Sequence, residues 1–376
     1  MSDFKVLVKK VLDVFPAENS DNLEMVRIDG YNAIASRGSY TSGDMVVYIP
    51  EASLIPKWLG VKLGFWDEDS DKGKLNGSRG NRIKAIKLRG NLSQGLILPL
   101  NDDGLLEGEN DQLKEVFCGD DVAEFLGIEK YVPEIPTSMN GALWTPPFGS
   151  TLKYDIENIK SHPNVIKDGE DVVFTEKIHG TWACFGMVGH DYIVTSKGHS
   201  GKGFAFQMGD VNKDNVYVKT FYELGIGKYL QTLRLLCGIP NVYILGEIYG
   251  VQDLKYDSSN KKGFRVFDIY MSHDNFQGDY MGYDDMIGQI GYMNNVFDGA
   301  HIGIVPELYR GPFSEGALRD HTDGRETVSG KEVNIREGLV VRPLKERRDD
   351  TIGRVLLKSV SEDYLLRKSS KATEYQ

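Results

Sequence analysis

The hexapeptide Thr175-Glu-Lys-Ile-His-Gly180 gathers a carboxylate, an amine and an imidazole within four consecutive positions. A lysine amine is a nucleophile only when neutral. Its reference pKa is about 10.4, so Lys177 would need a desolvated seat or cationic neighbours to attack anything. The pattern Lys-x-x-Gly says little alone. With 42 glycines in 376 residues, roughly one lysine in nine has glycine three positions on by chance, so the context must decide. Here a β-prone run, Asp171 to Thr175, leads straight into Glu176-Lys177. Further polar motifs follow in chain order: Ser196-Lys197-Gly198, Leu245-Gly-Glu-Ile-Tyr-Gly250, Phe264-Arg-Val-Phe-Asp268, Glu337-Gly-Leu-Val-Val-Arg342 and Leu356-Leu-Lys358. Glu247 and Glu337 are carboxylates inside otherwise apolar β-prone segments, where the plain alternative is a paired structural carboxylate.

The ordered set resembles the covalent lysine nucleotidyltransferases: DNA ligases, RNA ligases and mRNA capping enzymes. Histidine at the third motif position, as in Lys177-Ile-His-Gly180, resembles the ATP-dependent RNA ligases of the phage T4 nick-sealing type. In the first half, Gly43-Asp-Met-Val-Val-Tyr-Ile-Pro50, Asn81-Arg-Ile-Lys-Ala-Ile-Lys-Leu-Arg-Gly90 and Ser93-Gln-Gly95 are similar to the class that places an OB domain before the catalytic domain. The resemblance runs over nearly the whole chain.

It implies a role for each matching residue. Lys177 would carry AMP, and Glu176 would help read the adenine amino group. His179 stands where the family has a histidine needed for activity. Lys197 would hold phosphate, Glu247 the ribose hydroxyls, and Phe267 would stack on adenine with Asp268 behind it. Glu337 would hold the water shell of Mg²⁺ or Mn²⁺, and Lys358 would contact the α-phosphate. Taken singly, Phe267 is more often a core aromatic and His179 a satisfied buried histidine. The shared motif order argues against both. Two positions depart from the family: Trp182 where asparagine is common, and Leu356 where a second lysine is common. In an extended segment Arg354 would share a face with Leu356 and Lys358 and could compensate.

The resemblance therefore implies an ATP-dependent RNA ligase that joins 3′-hydroxyl and 5′-phosphate ends through lysyl-AMP, at nicks in a duplex with an RNA 3′-OH strand. The alternatives are a GTP-dependent capping-type guanylyltransferase and a relative that binds RNA or nucleotide without catalysis. Few residues follow Lys358, which weighs against the capping enzymes, because they usually carry an OB domain after the catalytic one.

The elements that must position these residues read as an α+β chain of two parts. Residues 1–131 show short β-prone runs, Met25 to Ile28, Tyr31 to Ala35, Met45 to Tyr48 and Gly95 to Leu100, punctuated by Asp29-Gly30 and Ser42-Gly43-Asp44. Close spacing of short strands suggests a small OB-like barrel for nucleic acid. Asp120 to Tyr131 reads as a short amphipathic helix. Residues 132–150, with Pro133, Pro136, Pro146, Pro147, Gly141 and Gly149, read as a linker,. Residues 151–376 read as the nucleotidyltransferase domain, ligase-type and ATP-grasp-like. Its strands, at Tyr192 to Ser196, Val242 to Leu245, Phe264 to Tyr270 and Gly338 to Val341, are largely antiparallel. Val218 to Cys237 is its best helix, with Gly225 and Gly227 weakening its middle,. The end, Lys368 to Gln376, is polar.

Net charge is −11, which by itself speaks against nucleic acid. Its distribution reverses that. Asp102 to Glu129 holds ten acidic residues and one basic, so the remainder of the chain carries only −2. Lys72 to Asn91 holds seven basic residues and no acidic one. Within it, Arg79, Arg82, Lys84, Lys87 and Arg89 are candidates for gripping a phosphate backbone. No apolar run reaches the ~18–20 residues of a membrane helix, and Met1 to Lys10 lacks a secretion-signal core. Cys118, Cys184 and Cys237 are too scattered for a disulfide framework or a zinc site, so a reducing, cytoplasmic setting is expected,. No obligate protein partner is implied.

Overall fold

Strand Met45–Ile49 organises the first half through its period of two. Val46 and Tyr48 face one apolar cluster with Val26, Ile28 and Ile97. Val47 and Ile49 face another with Val8, Leu98, Leu106 and Leu126,. The computed structural model describes residues 4–256, 262–299 and 301–367; the polar segment Lys368 to Gln376 lies outside them. Met45–Ile49 is central in a sheet between Leu7–Lys10 and Leu96–Pro99. Leu23–Ile28 pairs with Tyr31–Ser36 across a turn in which Asp29 adopts a left-handed conformation (φ 51°),. Asp13–Pro16 closes the other side. This is the OB-type barrel.

Two helical expectations fail for one reason, a glycine in left-handed conformation. The helix expected over Asp120 to Tyr131 is only Ala123–Leu126, stopped by Gly127 (φ 65°), and Glu129–Lys130 then pairs with Ser53–Leu54. The helix expected over Val218 to Cys237 is two, Val216–Glu223 and Ile226–Cys237, divided at Gly225 (φ 60°),. The basic run forms little regular structure, with strand at Lys72–Gly73 and at Ile86–Leu88, the latter paired with Asn91–Ser93 where the run ends. Residues 132–150 lie along the second half. Met139 is buried in its core, and Leu143–Trp144 pairs with Ala205–Phe206.

The second half holds two mostly antiparallel sheets. One is five-stranded, in the order Glu157–Asn158, Leu357–Val360, Gly338–Pro343, Asp171–Lys177, Glu307–Pro312. The other is six-stranded. It runs Asp191–Ser196, Gly180–Val188, Asn241–Tyr249, Gly263–Ser272, Gly278–Tyr280, with Gly303–Ile304 alongside Gly263–Ser272. Helices Val216–Glu223 and Ile226–Cys237 bury Val218, Phe221, Leu230 and Leu233 against the six-stranded sheet's outer core. The chain passes from the first sheet to the second at Lys177–Gly180, so both sheets supply walls to whatever lies at that crossing. The two halves meet through Gly30, whose N–H donates to Lys160 O (2.7 Å), and through Lys160 Nζ, which donates to Gln94 Oε1 (2.6 Å). Among the described residues no helix is long and apolar enough to cross a membrane.

Candidate active site

A cavity opens at the crossing between the two sheets. Glu176, Lys177, Glu337 and Lys358 line it from the five-stranded side, and Trp182, Glu247 and Phe267 from the six-stranded side. Lys197 also lines it, from the first position of the short helix after Asp191–Ser196. Residues as far apart in the chain as Glu176 and Lys358 are thus brought to one space.

Register explains why Lys177 meets Glu337. Lys177 is paired with Gly338 across antiparallel strands, which brings its side chain beside the preceding residue. The Lys177 ammonium donates to Glu337 Oε1. Both motif glycines are steric necessities. A Cβ at Gly180 would stand 2.2 Å from Ile248 O, and one at Gly338 would stand 2.1 Å from Ser359 O,. Phe267 owes its position to a bulge. Leu245 pairs with Asp268 and Gly246 with Val266, so Phe267 has no opposite residue and the strand bends there,.

Burial governs the carboxylates. Burial alone would raise Glu337, yet the Lys177 ammonium and the His179 ring outweigh it and hold the carboxyl below its usual range,. Glu176 is raised, because burial outweighs its bonds to Thr327. Its Oε2 accepts from the Thr327 N–H (2.8 Å), while its Oε1 is buried without a partner. An orphaned acceptor in a cavity wall is a feature that a ligand donor would satisfy.

His179 lies beneath the cavity, not in its wall. It is fully buried. Its Nε2 is 2.6 Å from Asp253 Oδ1, and its Nδ1 is 2.7 Å from the Tyr364 hydroxyl and 3.7 Å from Glu337 Oε2. Burial would lower this ring, but Asp253 and Glu337 outweigh it and raise it. Lys197 Nζ is 3.5 Å from Asp155 Oδ1.

Three expectations are corrected. Asp268 does not reach the cavity: it is about 1% exposed, and its carboxylate accepts from Arg342, Arg354 and the Tyr154 hydroxyl. Arg354 does not stand in for the missing lysine beside Lys358. The segment is broken between Gly353–Arg354 and Leu357–Val360, and Arg354 turns to Asp268, Glu346 and the Tyr280 ring. Arg82 is not part of an exposed basic face. It is buried, with its guanidinium 3.8 Å from the Tyr131 ring centre. Lys84 is half-buried, whereas Arg79, Lys87 and Arg89 are exposed.

The two departures stand together. Trp182 and Leu356 both line the cavity and pack in one apolar cluster with Tyr154. Asp253, Tyr256, Thr327 and Tyr364 support this site without having been expected, Tyr256 by accepting the His179 backbone N–H at its hydroxyl (2.7 Å), and so does the pairing of Arg342 with Asp268. Arg342 ends a quoted motif and was the one available signal; the others lie in segments with no local pattern.

A sequence model of the RNA ligase family matches residues 170–360, and one of an OB-fold domain matches residues 5–100. No curated protein matches the chain. Among solved structures, a Naegleria gruberi RNA ligase lysine-to-alanine mutant with ATP and Mn is 23% identical, covering 96% of this chain and 98% of that one, with a TM-score of 0.73. A glutamate-to-alanine mutant of the same ligase with AMP and Mn gives the same identity, coverage and TM-score. The same ligase with PPi is 23% identical over 96% and 98%, with a TM-score of 0.71. At this identity the likeness establishes the fold: a barrel followed by a nucleotidyltransferase domain.

Proposed function

This chain belongs to the RNA ligase family, and from that premise we propose that it is an ATP-dependent ligase that seals 3′-hydroxyl to 5′-phosphate ends at nicks in duplexes, through AMP carried on Lys177. The observation that carries the reading is the Lys177–Glu337 pair, set in a cavity with an unpaired Glu176 oxygen, an aromatic ring and two further lysines.

In the first step the Lys177 ammonium gives up a proton, for which the Glu337 carboxylate it donates to is the nearest acceptor, and the neutral Nζ attacks the α-phosphorus of ATP. A P–N bond forms and the P–O bond to pyrophosphate breaks. In the second step a 5′-phosphate oxygen displaces Lys177, and AMP passes to the strand end. In the third step the 3′-hydroxyl attacks the 5′-phosphorus, the phosphodiester forms and AMP leaves. Glu337 is placed to accept from the ammonium and to hold the amine towards the nucleotide. Lys197 and Lys358 supply positive charge to phosphate oxygens, which is the main requirement of phosphoryl transfer.

The residues fit the nucleotide. Glu176 Oε1 lacks a donor, which the adenine amino group provides, and Phe267 offers a ring for the base,. Glu247 faces the same cavity and would take the ribose hydroxyls. A hard cation such as Mg²⁺ or Mn²⁺ keeps several waters and needs only one or two carboxylates with substrate phosphates. Glu337 is such a carboxylate, acting through water, and the cation would neutralise phosphate charge. His179 acts from below, as a support of Glu337. The exposed Arg79, Lys87 and Arg89 would track the duplex backbone.

The test is a sealing assay on a nicked duplex with an RNA 3′-OH strand, compared with a DNA 3′-OH nick and with unpaired ends. The reading predicts ATP-dependent joining that is best at the RNA 3′-OH nick. Joining supported by GTP in place of ATP, or no joining at any end, would contradict it.

A further inference from the structure

A second crevice lies at the seam between the barrel and the catalytic half. Arg82 and Lys84 face it from the barrel, and Tyr364 and Arg367 from the C-terminal helix and its end. Its charge is unusual. Arg82 is about 7% exposed, its Nε has no partner, and among the described residues no carboxylate forms an ion pair with it; its contact is the Tyr131 ring. Arg367 donates from Nε to Asp253 Oδ2 (3.2 Å) and from NH1 to Tyr364 O (2.7 Å), leaving NH2 buried without a partner. Lys84 is lowered by burial and then by the like charges of Arg82 and Arg367, with the Asp253 carboxylate acting against them, and all three cations line the same crevice. Glu51 also faces the crevice. Burial raises its carboxyl, and it accepts from Gln94 (3.3 Å). A buried cation without an anion is costly, and the Tyr131 ring under Arg82 offsets only part of that cost,. The unmet donors, Arg82 Nε and Arg367 NH2, are what an incoming anion would satisfy,.

We propose that this crevice seats one phosphate of the polynucleotide at the seam between the two halves. The inference rests on the ligase reading for the identity of the anion. Its position adds a consequence. The Tyr364 hydroxyl beside the crevice bonds His179, whose ring lies against Glu337, the residue that holds Lys177. A strand fixed there is held next to the nucleophile's own support.

The experiment measures equilibrium binding of a nicked RNA duplex to the full chain across a salt series, with melting temperature recorded for each variant. No turnover is involved, so failure of the ligase chemistry and failure of this site are separate results. Arg82→Met should weaken binding about tenfold and reduce the salt slope by about one. Its melting temperature should stay level or rise, because an apolar side chain replaces an unpaired buried charge. Arg82→Lys should recover part of the affinity. A loss confined to 5′-phosphate nicks identifies the terminal phosphate, and an equal loss on 5′-hydroxyl nicks identifies a backbone phosphate. Unchanged affinity and slope in Arg82→Met would overturn the proposal. So would a lowered melting temperature with no recovery in Arg82→Lys, which makes Arg82 structural. Inorganic pyrophosphate bound by the wild type and lost in Arg82→Met, with RNA affinity unchanged, would give the crevice to the leaving group and overturn it as well.

Discussion

Two buried charge clusters flank the cavity, and they are built differently. In the first, Asp268 is surrounded: Arg342, Arg354 and the Tyr154 hydroxyl all donate to it, and Glu346 takes the outer side of both arginines. In the second, Glu337 is about 4% exposed, but its partner Lys177 is about 18% exposed and faces the cavity. In the closed cluster both oxygens of the Asp268 carboxylate are already taken by protein donors. The open one keeps a cation at a surface where a substrate arrives. The difference separates scaffold from chemistry: the first should be read in stability, the second in rate.

The closed cluster gives the largest expected effect on folding. Asp268→Asn leaves two buried arginines with Glu346 as their remaining counter-charge and should cost about 3–5 kcal/mol in chemical denaturation,. The same variant sharpens the contrast through pH. Burial would raise the Asp268 carboxyl, but the charges of Arg342 and Arg354 hold it below its usual value. Its contribution is therefore present above the unfolded carboxyl value of about 4 and lost as pH falls through the folded one. Acid unfolding of Asp268→Asn should show a flatter dependence below about pH 4. His179 titrates in the opposite sense. Its folded value is raised, so its contribution is full below the ordinary histidine value of about 6.5 and fades as pH rises through the folded value,.

Glu337→Gln should divide the two clusters cleanly. Lys177 retains contact with water, so stability should change little. The adenylylation rate should fall about a hundredfold, as when one charge-stabilising group is removed from an active site. A large fall in stability with unchanged rate would put Glu337 on the scaffold side. Phe267→Leu should act more weakly, raising the apparent KM for nucleotide about two- to tenfold, the range of one aromatic contact. Tyr364→Phe is the smallest change. It removes the hydroxyl beside His179 Nδ1. It should alter the pH profile of adenylylation while leaving KM for nucleotide unchanged.

Legibility follows the same division. The open cluster could be read in the sequence because its members sit in compact motifs at strand ends, Glu176-Lys177 and Glu337-Gly338, where backbone register does the positioning. The closed cluster could not. Asp268 stood in a recognisable motif, but its partners lie 74 and 86 residues along the chain, and no local pattern joins them. His179 was legible as a motif residue but not in its surroundings: Tyr364 is 185 positions away and Asp253 lies 74 away. The barrel was legible from its turns and alternating apolar residues. The helix ends were less so: Gly225 showed as a weak point of its helix, but that it and Gly127 stop helices in left-handed conformation is not revealed by composition alone. The basic run was legible as charge, but burial split it, leaving Arg82 at the seam and Arg79, Lys87 and Arg89 exposed.

The central claim is that Lys177 carries the nucleotide. The direct measurement incubates the protein with α-labelled ATP and a divalent cation, resolves it on a denaturing gel, and repeats this with GTP and with Lys177→Ala, while intact mass reveals any AMP already bound. The account predicts a labelled band with ATP, none with GTP and none in the variant. A band that survives in Lys177→Ala, or no label and no AMP-sized mass in the wild type, would contradict it.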